Sequence, residues 1–193
     1  MKTRFTPRNR ALMHSCTLGL LLPALLGTSF AASAISLGLQ AGEHYTDVRV
    51  DMGKETPGFY SQLTWAHNDN DGDRGGMELG FGLPLGSFMI SAGGKLLYLH
   101  PRGEDDGYAL AIGSRLAWNI TQKFTIFGEG YYSPDSLSSE VDHYREMDAG
   151  LRWAIVRPVT LSVGYRYIDL AGKDGRRSRK LADGMYLGGE VGF

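Results

Sequence analysis

In nearly every segment from residue 58 onward, apolar side chains recur at every second position, the period of a β-strand with one greasy face. Val159, Leu161, Val163, Tyr165 and Tyr167 share one side of residues 159–167, and Thr160, Ser162, Gly164 and Arg166 share the other. Residues 88–98, 108–118 and 145–155 repeat the arrangement, with shorter matches at 58–67, 76–83, 123–132 and 184–193. No convincing amphipathic helix interrupts them. The pattern predicts an all-β chain.

The connections alternate as well. Long polar stretches at 68–75, 100–107, 133–143 and 171–183 take turns with short ones at 51–58, 84–87, 119–122 and Arg157-Pro158. Strands of about ten residues, with long loops at one end and tight turns at the other, are the signature of a transmembrane antiparallel up-and-down β-barrel. The apolar face then meets hydrocarbon. The opposite face, rich in Gly and Ala, encloses a lumen carrying Glu78, Lys95, Arg115, Glu129, Glu146, Asp148, Arg152, Arg166 and Glu190. The near balance of sign in that set points to pairing inside the barrel, since an unpaired buried charge costs several kcal/mol. Glycines on the same face, among them Gly80, Gly93, Gly113, Gly150 and Gly164, leave some room in the lumen. Trp65, Tyr98, Tyr108, Trp118, Tyr132 and Trp153 fall near strand ends, where aromatic girdles belong. If both termini face the periplasm the strand number is even: ten when residues 35–57 add a hairpin, with eight as the alternative.

The first 34 residues stand apart. Lys2, Arg4, Arg8 and Arg10 precede the apolar run "LGLLLPALLG" at 18–27 and the small residues "ASA" at 32–34, the layout of a secretory signal peptide cleaved before Ile35. Residues 1–34 are therefore read as the leader and 35–193 as the barrel domain. Cys16, the one cysteine, leaves with the leader, so no disulfide holds the mature chain. Of the 20 Lys+Arg, four leave with the leader, and the remaining 16 against 21 Asp+Glu give a net charge of −5, which argues against a nucleic-acid partner.

The last strand carries a further signal. Tyr186, Gly188, Val191 and Phe193 fit the polar-x-Gly-x-x-apolar-x-apolar pattern presented to the barrel assembly machinery, and Phe193 closes the cylinder onto its first strand. Beyond that general pattern, "GEHYT" at 42–46, "NDNDGD" at 68–73, "LPLG" at 83–86, "GGKLLYL" at 93–99, "YYSPDSLSS" at 131–139 and "GYRYIDLAGKDG" at 164–175 resemble the YfaZ family of outer-membrane proteins. The resemblance implies an integral outer-membrane barrel and brings no catalytic residue with it.

Candidate chemistry is sparse. Asp69, Asp71 and Asp73 repeat a carboxylate as D-x-D-x-D calcium loops do, but Gly80 stands where the twelfth-position glutamate belongs and Gly72 comes one position early, so the stretch reads as a solvated turn. Such acids, or the cations of "GRRSRK" at 175–180, would meet outer-membrane lipids and lipopolysaccharide. His44, His67, His100 and His143 map to the outer rim, and Asp142 with serines at 133, 136, 138 and 139 supply raw material for a rim-located protease or lipid deacylase, although neighbours on a strand point to opposite faces. The pattern asks for no cofactor and no resident metal. The expectation is a barrel without enzymatic activity, either a narrow channel or a structural membrane component. A rim hydrolase and a soluble periplasmic barrel holding a small apolar ligand are the alternatives.

Overall fold

Every second residue facing lipid and every backbone N–H paired with a neighbour is achievable in a membrane only if the sheet closes on itself. The computed structural model describes residues 35–69, 72–101, 106–139, 141–172 and 178–193, so the proposed leader lies outside the described residues. It contains β1 (Ile35–Gly42), β2 (Tyr45–Met52), β3 (Gly58–Asn68), β4 (Gly72–Leu85), β5 (Phe88–Pro101), β6 (Gly107–Asn119), β7 (Phe124–Ser133), β8 (Val141–Val156), β9 (Val159–Gly172) and β10 (Arg179–Gly192). All neighbours are antiparallel, and β1 joins β10 to close a ten-stranded barrel. Ten strands rather than eight are thus formed, because residues 35–52 supply the first hairpin, turning at Glu43 and His44. The seam runs from Ser36 opposite Gly192 to Gly42 opposite Tyr186, and the Phe193 amide donates to the Ile35 carbonyl at 2.7 Å.

The outward face is apolar over the middle of every strand. Leu79, Leu96, Ile112, Met147 and Leu187 are all exposed there, which in water would be a severe liability and in hydrocarbon is the requirement. Rings bound this band at both ends. Trp65, Tyr98, Tyr108, Tyr132 and Tyr165 form the outer set. At the periplasmic end Phe88 stacks on Trp118 at 5.7 Å and Phe124 on Trp153 at 6.0 Å. From Phe88 to Tyr98 the strand advances about 33 Å, and at a tilt of about 40° this spans about 25 Å of membrane.

The expected long loops are shorter than their polar composition suggests. Strands run on through Asn68, Pro101 and Gly172 on one side of the hairpins and from Gly72, Gly107, Val141 and Arg179 on the other. The ladder needs only backbone pairing, so it continues past the membrane once the outward residues turn polar. Beyond the outer girdle the two faces in fact exchange character. His67, His100, Arg145 and Asp183 point outward, while Leu97, Leu99, Ile168, Leu170 and Leu181 point inward and are at most 4% exposed. The outer end of the barrel is built like a small water-soluble barrel capping an inside-out one.

Candidate functional site

The interior is the place where this sequence spends its unusual residues, and the structure arranges them in layers. At mid-depth Glu78 takes hydrogen bonds from the hydroxyls of Tyr60 (2.8 Å) and Tyr131 (2.5 Å) and stands 3.3 Å from Lys54 Nζ and 3.7 Å from Lys95 Nζ. Glu146 accepts from Lys95 Nζ at 2.8 Å, Arg74 Nη1 at 3.3 Å and Tyr144 Oη at 2.6 Å. Asp148 pairs with Arg166 and takes the Tyr186 hydroxyl at 2.9 Å. Asp47 gathers Arg49 at 2.7 Å, Arg166 at 3.5 Å and Arg74 at 3.7 Å. Every one of these carboxylates has more than one donor, which is what makes a buried ionic network tolerable.

The nine luminal charges named from the sequence fall as follows. Glu78, Lys95, Arg115, Glu129, Glu146, Asp148 and Arg166 are buried, at 1–9% exposure, inside the barrel. Arg152 lies lower, with 14% of its side chain accessible, and Glu190 lines the periplasmic mouth without an ion pair among the described residues. Sequence reasoning missed Asp47, Arg49 and Asp51 because the eight-strand alternative places residues 35–57 outside the barrel, although their alternation in "YTDVRVDM" follows the same period. It missed Arg74 because "NDNDGDRG" reads as loop, and Lys54 and Glu55 because they sit in a turn.

That turn, residues 53–57, corrects the expectation of a simple periplasmic link. Gly53 (φ 77°) and Gly58 (φ 111°) occupy left-handed conformations that favour glycine, and the Thr56 amide and hydroxyl both donate to the Gly53 carbonyl. The chain is thereby folded into the lumen. Lys54, 5% exposed, contacts Gln62 (2.9 Å) as well as Glu78 and Glu129 (3.4 Å). Glu55 crosses to the far wall, where it pairs with Arg115 at 2.8 Å and with Arg152. Burial works against the Glu55 charge, but Arg115 and Arg152 outweigh it and hold the carboxyl well below its ordinary value of 4.5. A depressed pKa contributes stability above the ordinary value and loses it only as pH falls below. The carboxyl carbon shift of Glu55, read by NMR, should therefore stay unchanged from pH 8 to about pH 5; a titration step within that window would show that Arg115 and Arg152 do not hold its charge.

The inward glycines do not leave the room expected of them. A Cβ on Gly93 would lie 2.8 Å from the Tyr60 hydroxyl, and one on Gly164 would lie 2.6 Å from that of Tyr186. Tyr131 covers Gly113 in the same way, and Phe127 covers Gly150. The rings occupy the space that the glycines release. Above them Leu97, Tyr144 and Ile168 are fully buried. Free space remains at the periplasmic mouth, where a pocket of about 100 Å³ is lined by residues including Arg49, Glu55, Gln62, Arg152 and Glu190.

At the rim, the histidines lean on carboxylates of neighbouring segments. His67 Nδ1 is 2.7 Å from Asp73 and its Nε2 3.6 Å from Asp69, His100 contacts Asp106, His143 is 3.9 Å from Asp169, and exposed His44 is 3.8 Å from Glu43. Asp71 and the Asp142 side chain lie outside the described residues. The hydroxyls of Ser133 and Ser138 donate to carbonyls of their own loop, and Ser139 accepts from the Tyr108 amide. Among the described residues no cluster of three or more His, Cys, Asp or Glu is arranged to hold a metal. In the carboxy-terminal signal, Tyr186 faces inward, whereas Val191 and Phe193 project outward at 37% and 76% exposure.

The family model described as YfaZ precursor matches residues 13–193. The outer membrane protein YfaZ of Escherichia coli (strain K12) is 48% identical over 172 residues, which cover 89% of this chain and 96% of that protein. Among solved structures, the NanC porin shares 10% identity at a TM-score of 0.45, covering 83% of this chain and 98% of its own. The KdgM porin shares 11% at a TM-score of 0.44, covering 83% and 99%.

Proposed function

This chain belongs to the YfaZ family, and from that membership together with its filled lumen we propose that it serves the outer membrane as a sealed, non-catalytic β-barrel rather than as an open pore. It is an integral outer-membrane protein. The observation that carries the sealed reading is the complete burial of Leu97, Tyr144 and Ile168 across the outer lumen, above a mid-depth layer in which Glu78, Glu146 and Asp148 are at most 2% exposed. Side chains packed to that degree leave no space for a hydrated ion in either layer. The apolar wall and its girdles suit lipid and, at the outer leaflet, lipopolysaccharide; the terminal strand suits the barrel assembly machinery; residues 1–34 act as the export leader. Serine-based catalysis at the rim finds little support where the Ser133 and Ser138 hydroxyls donate to carbonyls of their own loop.

Purified protein in a planar bilayer should give no stepwise ohmic conductance in concentrated KCl. Long-lived open channels in the unmodified protein would overturn the sealed reading in favour of a narrow porin.

A further inference from the structure

At the periplasmic mouth two guanidiniums share one aromatic ring. Arg115 on β6 and Arg152 on β8 flank one ring, Phe127 on β7, with guanidinium carbons 5.6 and 4.6 Å from its centroid. Stacking on an aromatic face fixes both planar groups in position. Arg115 is 2% exposed, and its Nε and both Nη atoms lack an acceptor in hydrogen-bond geometry among the described residues. Its nearest anions are Glu55 (2.8 Å) and Glu129 (3.8 Å), which it meets as ion pairs. A buried guanidinium with unfilled donors is a receptor for a planar anion, since unmade hydrogen bonds at such a group are expensive.

The carboxylate now in that place belongs to a side chain able to leave. Glu55 keeps 45% of its side chain accessible at the mouth, while Lys54 beside it is anchored by Gln62, Glu78 and Glu129. Rotation of Glu55 alone would free the two guanidiniums without withdrawing the turn. The adjoining pocket of about 100 Å³ offers space for a molecule of a few heavy atoms and is lined by Arg152 and Glu55 themselves.

We propose that Arg115, Arg152 and Phe127 form a binding site, open to the periplasm, for a small carboxylate, and that Glu55 is its tethered competitor. The site lies below the sealed part of the lumen and does not depend on whether the barrel conducts. Ligand affinity is then reduced by the fraction of molecules in which Glu55 occupies the site, and removing that competitor restores it.

The test is calorimetric titration of the full mature barrel in detergent with succinate at neutral pH, each variant first checked for heat-modifiable gel mobility. Glu55→Gln should bind succinate at least about tenfold more tightly than the unmodified protein. Glu55→Ala serves as a second variant should the amide of the first remain seated. Adding Arg115→Met or Arg152→Met to either should abolish the gain. Equal affinity with and without Glu55, or a gain that survives loss of both arginines, overturns the site; tighter binding of inorganic phosphate than of succinate overturns its assignment to carboxylates.

Discussion

Glu146→Ala is expected to lower the unfolding free energy of the barrel by about 3–5 kcal/mol, the range found when one partner is taken from a buried ion pair. Glu146 is 1% exposed and serves Lys95, Arg74 and the Tyr144 hydroxyl together. Without it, Lys95 retains Glu78 at 3.7 Å and Arg74 retains Asp47 at 3.7 Å, both too long for a good charge-assisted hydrogen bond. Two cations, each 3% exposed, are left short of compensation in a space that water enters poorly. Urea unfolding in lipid vesicles reads the loss directly, as a lower midpoint with an unchanged slope. Removing Lys95 as well, in Glu146→Ala with Lys95→Met, should restore part of the stability, because one stranded charge is gone and a methylene stem remains. A single-variant loss below about 1 kcal/mol would mean that the interior is wet and the pairs screened, in the way surface ion pairs are.

The same network explains which parts of this protein its sequence discloses. Strand positions were legible because the membrane imposes period two on both faces at once: Leu161, Val163 and Tyr165 have to meet lipid while Ser162, Gly164 and Arg166 cannot. Lys95, Glu129 and Asp148 were legible for the same reason. The tyrosines were not. Tyr60, Tyr131, Tyr144 and Tyr186 have apolar bodies that suit either face, and only the structure shows their hydroxyls turned onto Glu78, Glu146 and Asp148. Lys54 and Glu55 were hidden by a different cause, since a turn has no period and their inward course depends on Gly53 and Gly58 adopting positive φ.

The outer strand ends read as loop because composition there reports the surroundings rather than the backbone. Once the wall rises above the hydrocarbon, its outward residues become His100 and Asp183 and its inward residues Leu99 and Leu181, with no break in the ladder. A reader counting apolar-outward positions loses the strand at the point where the polarity inverts. The inversion itself marks the membrane boundary. It also separates two energetic regimes in one cylinder: burial of apolar side chains stabilises the outer cap, whereas ion pairs and hydrogen bonds sustain the interior at mid-depth.

Gly113→Ala and Gly128→Ala, one methyl group each on paired strands β6 and β7, should have opposite outcomes. Gly128 faces outward, and a Cβ there meets nothing within 4 Å. Alanine should be stabilising by about 0.5–1 kcal/mol, because glycine in a strand gives up more backbone entropy. Gly113 faces inward, where a Cβ would overlap the Gly130 carbonyl oxygen and lie 2.5 Å from Tyr131 Cδ1. The first obstacle is the neighbouring strand itself and cannot rotate away. The second is a ring held in place by its hydroxyl on Glu78. Relief requires either prising β6 from β7 or driving Tyr131 off its carboxylate, so the loss should reach at least about 3 kcal/mol, the upper range of overpacking. Urea unfolding of the two variants beside the unmodified protein, with heat-modifiable mobility as the record of closure, makes the comparison. Similar effects at the two positions would contradict the face assignment on which the luminal network and the lipid-facing wall both rest, since the two sites differ in little else than the side of the sheet to which the added carbon points.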